Sequence, residues 1–337
     1  MALAVAGALL AVSCILAVSL GTVRLPATGV VATLLDQIPG VDVHGQLQGL
    51  DARVLLDIRL PRVLLTALVG GVLAVAGATY QGVFRNPLAD PYLLGAAAGA
   101  GLGATVVIAC SPLRQLGPVG LVPLAAFVGA LAGVGLAYAL GSVASRSGGG
   151  SATLLLAGVA VASFLAAAQT MVQQANADDL KEIYSWLLGQ LGSAQWNDLW
   201  LVLPYATISV VAVLLGSRAL DVLALGDEEA EALGVHPRRI RFLMLCAASL
   251  GTAAAVAVSG LIGFVGLVVP HVVRRLVGGS YRLVLPVSVL GGAAFLVLAD
   301  LVARTVAAPA ELPIGVVTAF VGAPFFAALL RVGGGQS

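Results

Sequence analysis

The chain has 337 residues, of which 60% are apolar and only 10% are charged. Soluble domains carry about 25% charged residues, so this composition indicates a protein that lies mostly in lipid. The net charge of +1 provides no basic surface for nucleic acid. Lys181 is the single lysine, and the sequence lacks the Gly-Lys-Ser/Thr run of a phosphate-binding loop. The composition therefore predicts a membrane protein that does not hold ATP in such a loop.

Ten segments are long and apolar enough to be membrane spans, which need about 20 mostly apolar residues. They predict an all-α integral membrane protein in which residues 1–337 form a single transmembrane domain. The first segment could alternatively be a signal peptide, but it has no basic residue before its apolar run, since the first charge is Arg24. The predicted spans are 2–22, 60–83, 93–110, 117–141, 152–174, 198–217, 240–259, 260–277, 283–304 and 312–331.

The span 260–277 differs from the others because Gly260, Gly263 and Gly266 interrupt it. We expect a short or broken helix here. Lipid permits such an interruption only where other parts of the protein cover the free backbone groups.

The expected orientation of two hydrophilic segments follows from the Lys and Arg residues of the loops. Residues 23–58 follow the first span, and residues 218–239 precede the seventh. With ten spans both termini share one side, and the loops of that side hold ten Lys or Arg residues against seven on the other. The positive-inside rule then places the termini and 218–239 in the cytoplasm and the loop 23–58 outside.

Glycines repeat every four residues in the third and fourth spans. Gly95, Gly99 and Gly103 share one face of the third, and Gly129 and Gly133 repeat the pattern in the fourth. Such faces let two helix backbones approach closely. Close packing is the first interpretation, and the lining of a substrate path is the alternative.

Asp300 is almost the only ionisable residue inside a predicted span. Arg304 follows it by four residues, in the acid-first order that favours a pair on a helix. The two residues predict a structural ion pair, with a proton relay as the alternative. Because carriers driven by protons or sodium usually hold ionisable groups in the bundle, the scarcity of such groups indicates an energy source outside the chain.

Residues 226–237 predict a short acidic helix on the cytoplasmic side. Asp227 is the expected N-cap, Gly234 the expected stop, and Pro237 follows it. A helix this short is not stable alone. A protein partner is the first interpretation and a lipid surface the alternative, although anionic headgroups would repel its acids.

No metal-binding or catalytic pattern is present. The histidines stand apart from any second ligand at metal spacing, and the cysteines are scattered among apolar segments. We therefore expect no metal site and no enzyme activity in this chain. The residues concerned are His44, His236, His271, Cys14, Cys110 and Cys246.

Several longer motifs, in order from residue 59 to the C-terminus, resemble the FecCD family of permeases. As a set these motifs are very specific to that family. They are Arg59-Leu-Pro-Arg62, Gln81-Gly-Val-Phe-Arg-Asn-Pro-Leu-Ala-Asp-Pro-Tyr-Leu-Leu-Gly95, Leu154-Leu-Leu-Ala-Gly158, Trp186-Leu-Leu-Gly189, Leu223 to Val235, Gly260 to His271, Ala299 to Arg304 and Glu311 to Phe325.

The resemblance implies the permease fold of a type II ABC importer, in a bacterial cytoplasmic (inner) membrane. Family members pair with a second copy or a homologous permease, two cytoplasmic ATPase subunits and a periplasmic or lipid-anchored substrate-binding protein. No cofactor is then expected on this chain, because ATP and Mg²⁺ bind the ATPase. The implied cargo is an iron–siderophore complex, with cobalamin and haem as rivals. An ion-coupled secondary transporter is the distant alternative.

The resemblance also implies roles for individual residues. The cytoplasmic helix would couple to the ATPase, residues 148–152 would form a cytoplasmic gate, and arginines at the outer surface would dock the binding protein. The coupling residues are Asp227, Glu228, Ala230, Leu233 and Gly234; the gate residues are Gly150, Ser151 and Ala152; and the docking residues are Arg59, Arg62 and Arg304.

Overall fold

The computed structural model of the chain describes residues 1–333, apart from 22, 39, 41–42, 112–114, 117–118 and 146–150. Nearly all regular structure in these residues is helical. The helices are α1 Ala2–Ser19, α2 Ala27–Asp36, α3 Gly49–Arg53, α4 Leu60–Phe84, α5 Ala96–Cys110, α6 Leu121–Ser145, α7 Ser151–Ala175, α8 Leu180–Leu187, α9 Trp196–Leu215, α10 Ser217–Leu223, α11 Asp227–Ala232, α12 Pro237–Ser259, α13 Val265–Val277, α14 Tyr281–Thr305 and α15 Ile314–Gly333.

Shorter elements connect these helices. A π-helical turn, Val54–Arg59, joins α3 to α4, and 3-10 turns cover Pro91–Leu94 and Ala177–Asp179. Two short antiparallel strands, β1 Gln115–Leu116 and β2 Val119–Gly120, precede α6.

The predicted spans coincide with helices, but not all of these helices have the length of a span. Among the described residues seven helices are long and apolar enough to cross a membrane, with α3, the π turn and α4 counted as one. α5 and α13 have only 15 and 13 residues, and the described apolar part of α15 is Ile314–Ala328. The all-helical fold is confirmed, whereas the count of ten spans stays a prediction.

Large apolar side chains cover the outer faces of the long helices. Phe164, Met171 and Leu215 are 72%, 76% and 79% exposed. Soluble proteins rarely leave so much apolar surface in contact with water. These faces fit a lipid environment.

The segment 23–58, which the sequence indicated to be a loop, contains two short helices and the π turn. α2 packs against α1 through the fully buried Val30. The Thr33 Oγ1 donates to the Gly29 carbonyl at 2.8 Å and accepts the Leu47 N–H at 2.8 Å. A ten-residue helix that depends on such contacts gives no periodicity long enough to detect in the sequence.

α4 lies at the centre of the bundle. With α3 and the π turn it forms one helix of 36 residues, and 83% of its most apolar stretch is buried. It runs antiparallel to α14, and a Cβ added at Gly70 would overlap the Gly292 carbonyl. A Cβ at Gly77 would overlap the backbone of Gly266 in α13. Glycine is required at these positions because the backbones touch there.

The glycine faces of α5 and α6 pack directly against each other. A Cβ on Gly99 would overlap the Gly129 carbonyl, and a Cβ on Gly129 would overlap the Gly99 carbonyl. Gly133 meets the Gly95 carbonyl and Gly103 the Ala125 carbonyl in the same way. The prediction of close packing is confirmed.

Candidate functional site

Three non-helical segments meet inside the bundle. They are residues 188–190 after α8, residues 260–264 before α13, and residues 311–313 before α15. The Gln190 N–H donates to the Ser259 carbonyl at 3.0 Å, and the Ile314 N–H donates to the Gly189 carbonyl at 3.3 Å. The Gly315 N–H donates to the Leu188 carbonyl at 3.0 Å. Residues 188–190 therefore exchange backbone hydrogen bonds with the end of α12 and with the start of α15.

The interruption of the predicted span 260–277 is confirmed, because α13 begins only at Val265. Gly260 and Phe264 have positive φ angles of 67° and 69°. Tyr92 holds the segment between them: its hydroxyl donates to the Ile262 carbonyl at 3.1 Å and accepts the Ile262 N–H at 3.2 Å. The Gln81 amide donates to the Gly266 carbonyl at 3.1 Å. Side chains thus satisfy the backbone groups of Ile262 and the Gly266 carbonyl, which lipid could not do.

An apolar cavity of about 590 Å³ opens beside these segments. Phe264 projects from the interrupted segment and packs against Gly322 and Phe326 of α15. Broken helices beside a cavity are the usual site of cargo passage in transporters. Besides glycines, the lining consists of Leu187, Leu188, Leu261, Phe264, Val316, Ala319, Phe320, Ala323 and Pro324.

A charged cluster lies at the start of α4 and the end of α14, and we call this side the Arg62 end of the bundle. The Arg62 guanidinium donates from Nη2 to Asp300 Oδ1 at 2.8 Å and from Nε to both oxygens of that carboxylate at 3.1 Å. It also binds both oxygens of Glu311 at 2.9 Å. Asp300 is 1% exposed, whereas the Glu311 side chain is 47% exposed. The cluster borders a second cavity of about 140 Å³, next to Gln190.

The two other predicted docking arginines also point into the chain. Arg59 is 5% exposed and donates to the Val18 carbonyl at 2.6 Å and to the Val23 carbonyl. Arg304 is 7% exposed and donates to the Ala17 carbonyl. Their guanidinium groups satisfy the free carbonyls at the end of α1. The expectation that they present charge at the surface is wrong for the chain by itself, and their role in docking stays a prediction.

The predicted pair of Asp300 with Arg304 is present, since the Asp300 Oδ2 lies 3.7 Å from the Arg304 Nε. It is the weaker of the two contacts of that carboxylate, because the Arg62 guanidinium is closer and binds both oxygens. Asp300 is thus shared by two buried arginines. Both oxygens of the carboxylate face arginines of the same chain, and this geometry is that of a structural ion pair.

α11 occupies the opposite side, which we call the Asp227 end. Gly234 ends it as predicted, with φ of 78°. The Gly234 N–H donates to the Glu231 carbonyl and the Val235 N–H to the Ala230 carbonyl, which is a Schellman motif. The prediction that Asp227 is the N-cap is wrong: Gly226 takes that position, and the Asp227 side chain caps nothing.

Asp227 binds two arginines instead. The Arg241 guanidinium donates to both of its oxygens at 2.8 and 2.5 Å, and the Arg85 Nη2 donates to Oδ1 at 2.7 Å. The Arg241 hydrogen bond, and then the charges of both arginines, lower the pKa of the Asp227 carboxyl below its usual value.

The predicted coupling residues divide between two faces of α11. Ala230 is fully buried, and Asp227 is turned toward its arginines. Glu228, Leu233 and Gly234 are exposed. Leu233 is 60% exposed, so an apolar side chain remains for a partner.

The predicted gate lies mostly outside the described residues. Gly148, Gly149 and Gly150 are not described. Ser151 begins α7, and Ala152 is helical and exposed. The role of these residues stays a prediction.

Several residues of the site had no role in the sequence analysis. Gln81, Tyr92 and Arg85 belong to a motif quoted for the resemblance, and Glu311 begins another, but nothing in their spacing indicates their partners. Arg241 appeared only in the charge count. Among the described residues no group of three His, Cys, Asp or Glu side chains could hold a metal ion.

Comparisons with known proteins agree with this geometry. The model of the FecCD transport family matches residues 9–332. The cobalamin import system permease protein BtuC of Halobacterium salinarum is 45% identical over 275 residues, which are 81% of this chain and 72% of that protein. The Fe(3+) dicitrate transport system permease protein FecD of Escherichia coli is 41% identical over 280 residues, 82% of this chain and 85% of that protein.

A solved inward-facing structure, described as a metal-chelate type ABC transporter, superposes with a TM-score of 0.84 at 29% identity and covers 98% of both chains. This similarity confirms the predicted permease fold. The chain therefore belongs to the FecCD transport family.

Proposed function

We propose that the chain is the membrane-spanning permease of an ATP-driven importer that carries an iron–siderophore complex into the cytoplasm by alternating access. The observation that carries this proposal is the junction of three interrupted segments beside the 590 Å³ cavity. Irregular backbone inside a membrane protein is tolerated where it is covered by protein or lines a path. A large cargo could pass there once the helices around the cavity separate.

The chemistry of the cavity supports passage of an intact complex. Its lining is apolar, and no metal-binding cluster occurs among the described residues. Such a wall does not compete with the chelator for iron. The iron is therefore cargo, and we assign no cofactor to this chain.

We assign one partner to each end of the bundle and one to the cavity. The exposed surface of α11 would bind an ATPase dimer, which supplies the energy. A second permease, either another copy or a homologue, would close the open side of the cavity at Phe320, which is 76% exposed. A binding protein would dock at the Arg62 end, where Glu311 is half-exposed.

Transport can be tested in proteoliposomes that contain the tagged chain together with the subunits that co-purify with it. We expect a labelled ferric siderophore to accumulate only with ATP and Mg²⁺, and not with a non-hydrolysable analogue. Cobalamin is the first rival cargo because the Halobacterium relative is a cobalamin permease, and haem is the second. Uptake of cobalamin or haem in place of the siderophore would overturn the cargo. Uptake by this chain alone without nucleotide would overturn the ATP-driven mechanism.

The orientation gives a separate prediction. In a background without Cys14, Cys110 and Cys246, we expect Gln48→Cys to react with an impermeant thiol reagent on intact cells. Glu229→Cys should react only after lysis. Both positions are exposed, so a difference in labelling reports the side of the membrane. Labelling of Glu229→Cys in intact cells would place the Asp227 end outside and contradict the proposed orientation.

A further inference from the structure

α11 cannot hold its own position. It has six residues, and a helix this short has too few internal hydrogen bonds to persist without external contacts. Its N-cap, Gly226, has no side chain to accept the free N–H groups. The buried Ala230 gives it one apolar contact. The remaining strong contacts are those of Asp227 with two arginines from distant parts of the chain.

These arginines stand at the ends of two long buried helices. Arg85 follows the last residue of α4, and Arg241 lies in the second turn of α12. α12 runs directly into the interrupted segment at Gly260. The other end of α4 carries Arg62, and the 23 positions from Arg62 to Arg85 span about 35 Å of helix. Asp227 thus links α11 to the two helices that connect it with the cavity and with the Arg62 end.

The backbone of Arg85 is a second, independent observation. Its φ is 50°, in the left-handed region where a helix usually ends with glycine. Of the described residues with positive φ, only Arg85 and Phe264 are not glycine. A side chain at such a position strains the backbone and is retained where the surrounding structure uses it. At Arg85 this conformation ends α4, where the Asn86 N–H donates to the Gln81 carbonyl at 3.1 Å, and the side chain binds Asp227 at 2.7 Å.

We infer that Arg85 and Arg241 are the positioning residues of α11: through Asp227 they fasten it to α4 and α12, so that a displacement of α11 by its partner moves these helices. The inference rests on the proposed function and deepens it. It assigns Asp227 an inward role, and leaves the exposed Glu228, Leu233 and Gly234 to face the ATPase. The side chains of Asp227, Arg85 and Arg241 are 44%, 39% and 19% exposed, so solvent screens these pairs in part and their loss should leave the chain folded.

The positioning can be measured without any partner. Spin labels at Leu88→Cys and Ala232→Cys, in a cysteine-free full-length chain in nanodiscs, report the distance between the end of α4 and α11. We expect a narrow distribution for the parent, and a broad or shifted one for Asp227→Asn and Arg241→Gln. Asp227→Glu should keep it narrow, as should the control Glu228→Gln at the neighbouring exposed acid. An unchanged distribution in Asp227→Asn would overturn the inference.

The effect on coupling is measured in the complex that co-purifies with the tagged chain. We expect Asp227→Asn and Arg241→Gln to retain the ATPase and to hydrolyse ATP, but to lower the cargo transported per ATP by roughly tenfold, within the usual range of coupling between sites. Unchanged coupling would overturn the inference. Loss of the ATPase with an unchanged spin-label distance would also overturn it, because Asp227 would then be a direct contact. If the parent shows no nucleotide-dependent uptake, the proposed function fails while the spin-label result still stands.

Discussion

Gly129→Val is expected to separate α5 from α6 and to destabilise the chain by roughly 3 kcal/mol, the upper part of the range for overpacked sites. A Cβ at Gly129 would overlap the Gly99 carbonyl, which is backbone and cannot rotate away. The helices must therefore move apart, and Gly99, Gly133 and Gly95 lose their contacts as well. A loss of this size should lower the midpoint of thermal unfolding in detergent by about 4 °C.

Gly135→Val is the matched control for this variant. Gly135 lies on the same helix, but a Cβ there meets nothing within 4 Å. Its substitution should change stability by no more than about 0.5 kcal/mol, as is usual for exposed sites. Equal midpoints for the two variants would contradict the packing of α5 on α6.

Asp300→Asn should lower the free energy of unfolding by about 3–5 kcal/mol, the usual cost of removing one partner from a buried ion pair. The substitution keeps the shape of the side chain but removes the charge that lies between Arg62 and Arg304. Arg62 and Arg304 are 8% and 7% exposed, so little water can take the place of the carboxylate. The free energy of unfolding in a denaturing detergent series, at constant lipid content, is the measurement.

Glu311→Gln provides the comparison because Glu311 binds the same guanidinium. Its side chain is 47% exposed, so solvent already screens the pair, and we expect a loss of about 1 kcal/mol or less. If both variants lost equal stability, burial would not be what makes Asp300 important. The Arg62 cluster would then be less enclosed than its geometry indicates.

The sequence predicted best those features that depend on local spacing. The glycine repeats of α5 and α6 fixed their packing faces because four residues return to the same side of a helix. The glycines of 260–266 indicated a broken helix because they interrupt the apolar span and glycine destabilises a helix interior. Gly234 stopped α11 as expected, since glycine readily adopts the left-handed conformation found there.

The features that the sequence did not predict depend on contacts between distant residues. Arg62 and Asp300 are 238 residues apart, and Arg85 and Asp227 are 142 apart. The local sequence does not predict whether an arginine at a helix end faces a partner protein or turns into its own chain. Arg59 and Arg304 turn inward because they donate hydrogen bonds to free carbonyls at the end of α1. The family resemblance supplied a role for these residues but not their orientation.

The separation of Arg62 from Asp300 has a consequence for biosynthesis. A ribosome adds roughly 5–20 residues per second, so Arg62 is made on the order of tens of seconds before its carboxylate partner. Throughout that time the guanidinium must remain hydrated at the membrane surface, because burying an unpaired charge is costly. We therefore expect α4 to complete its packing against the neighbouring helices only when α14 has entered the membrane. In a chain truncated before residue 300, we expect α4 to stay incompletely packed and to be accessible to proteases.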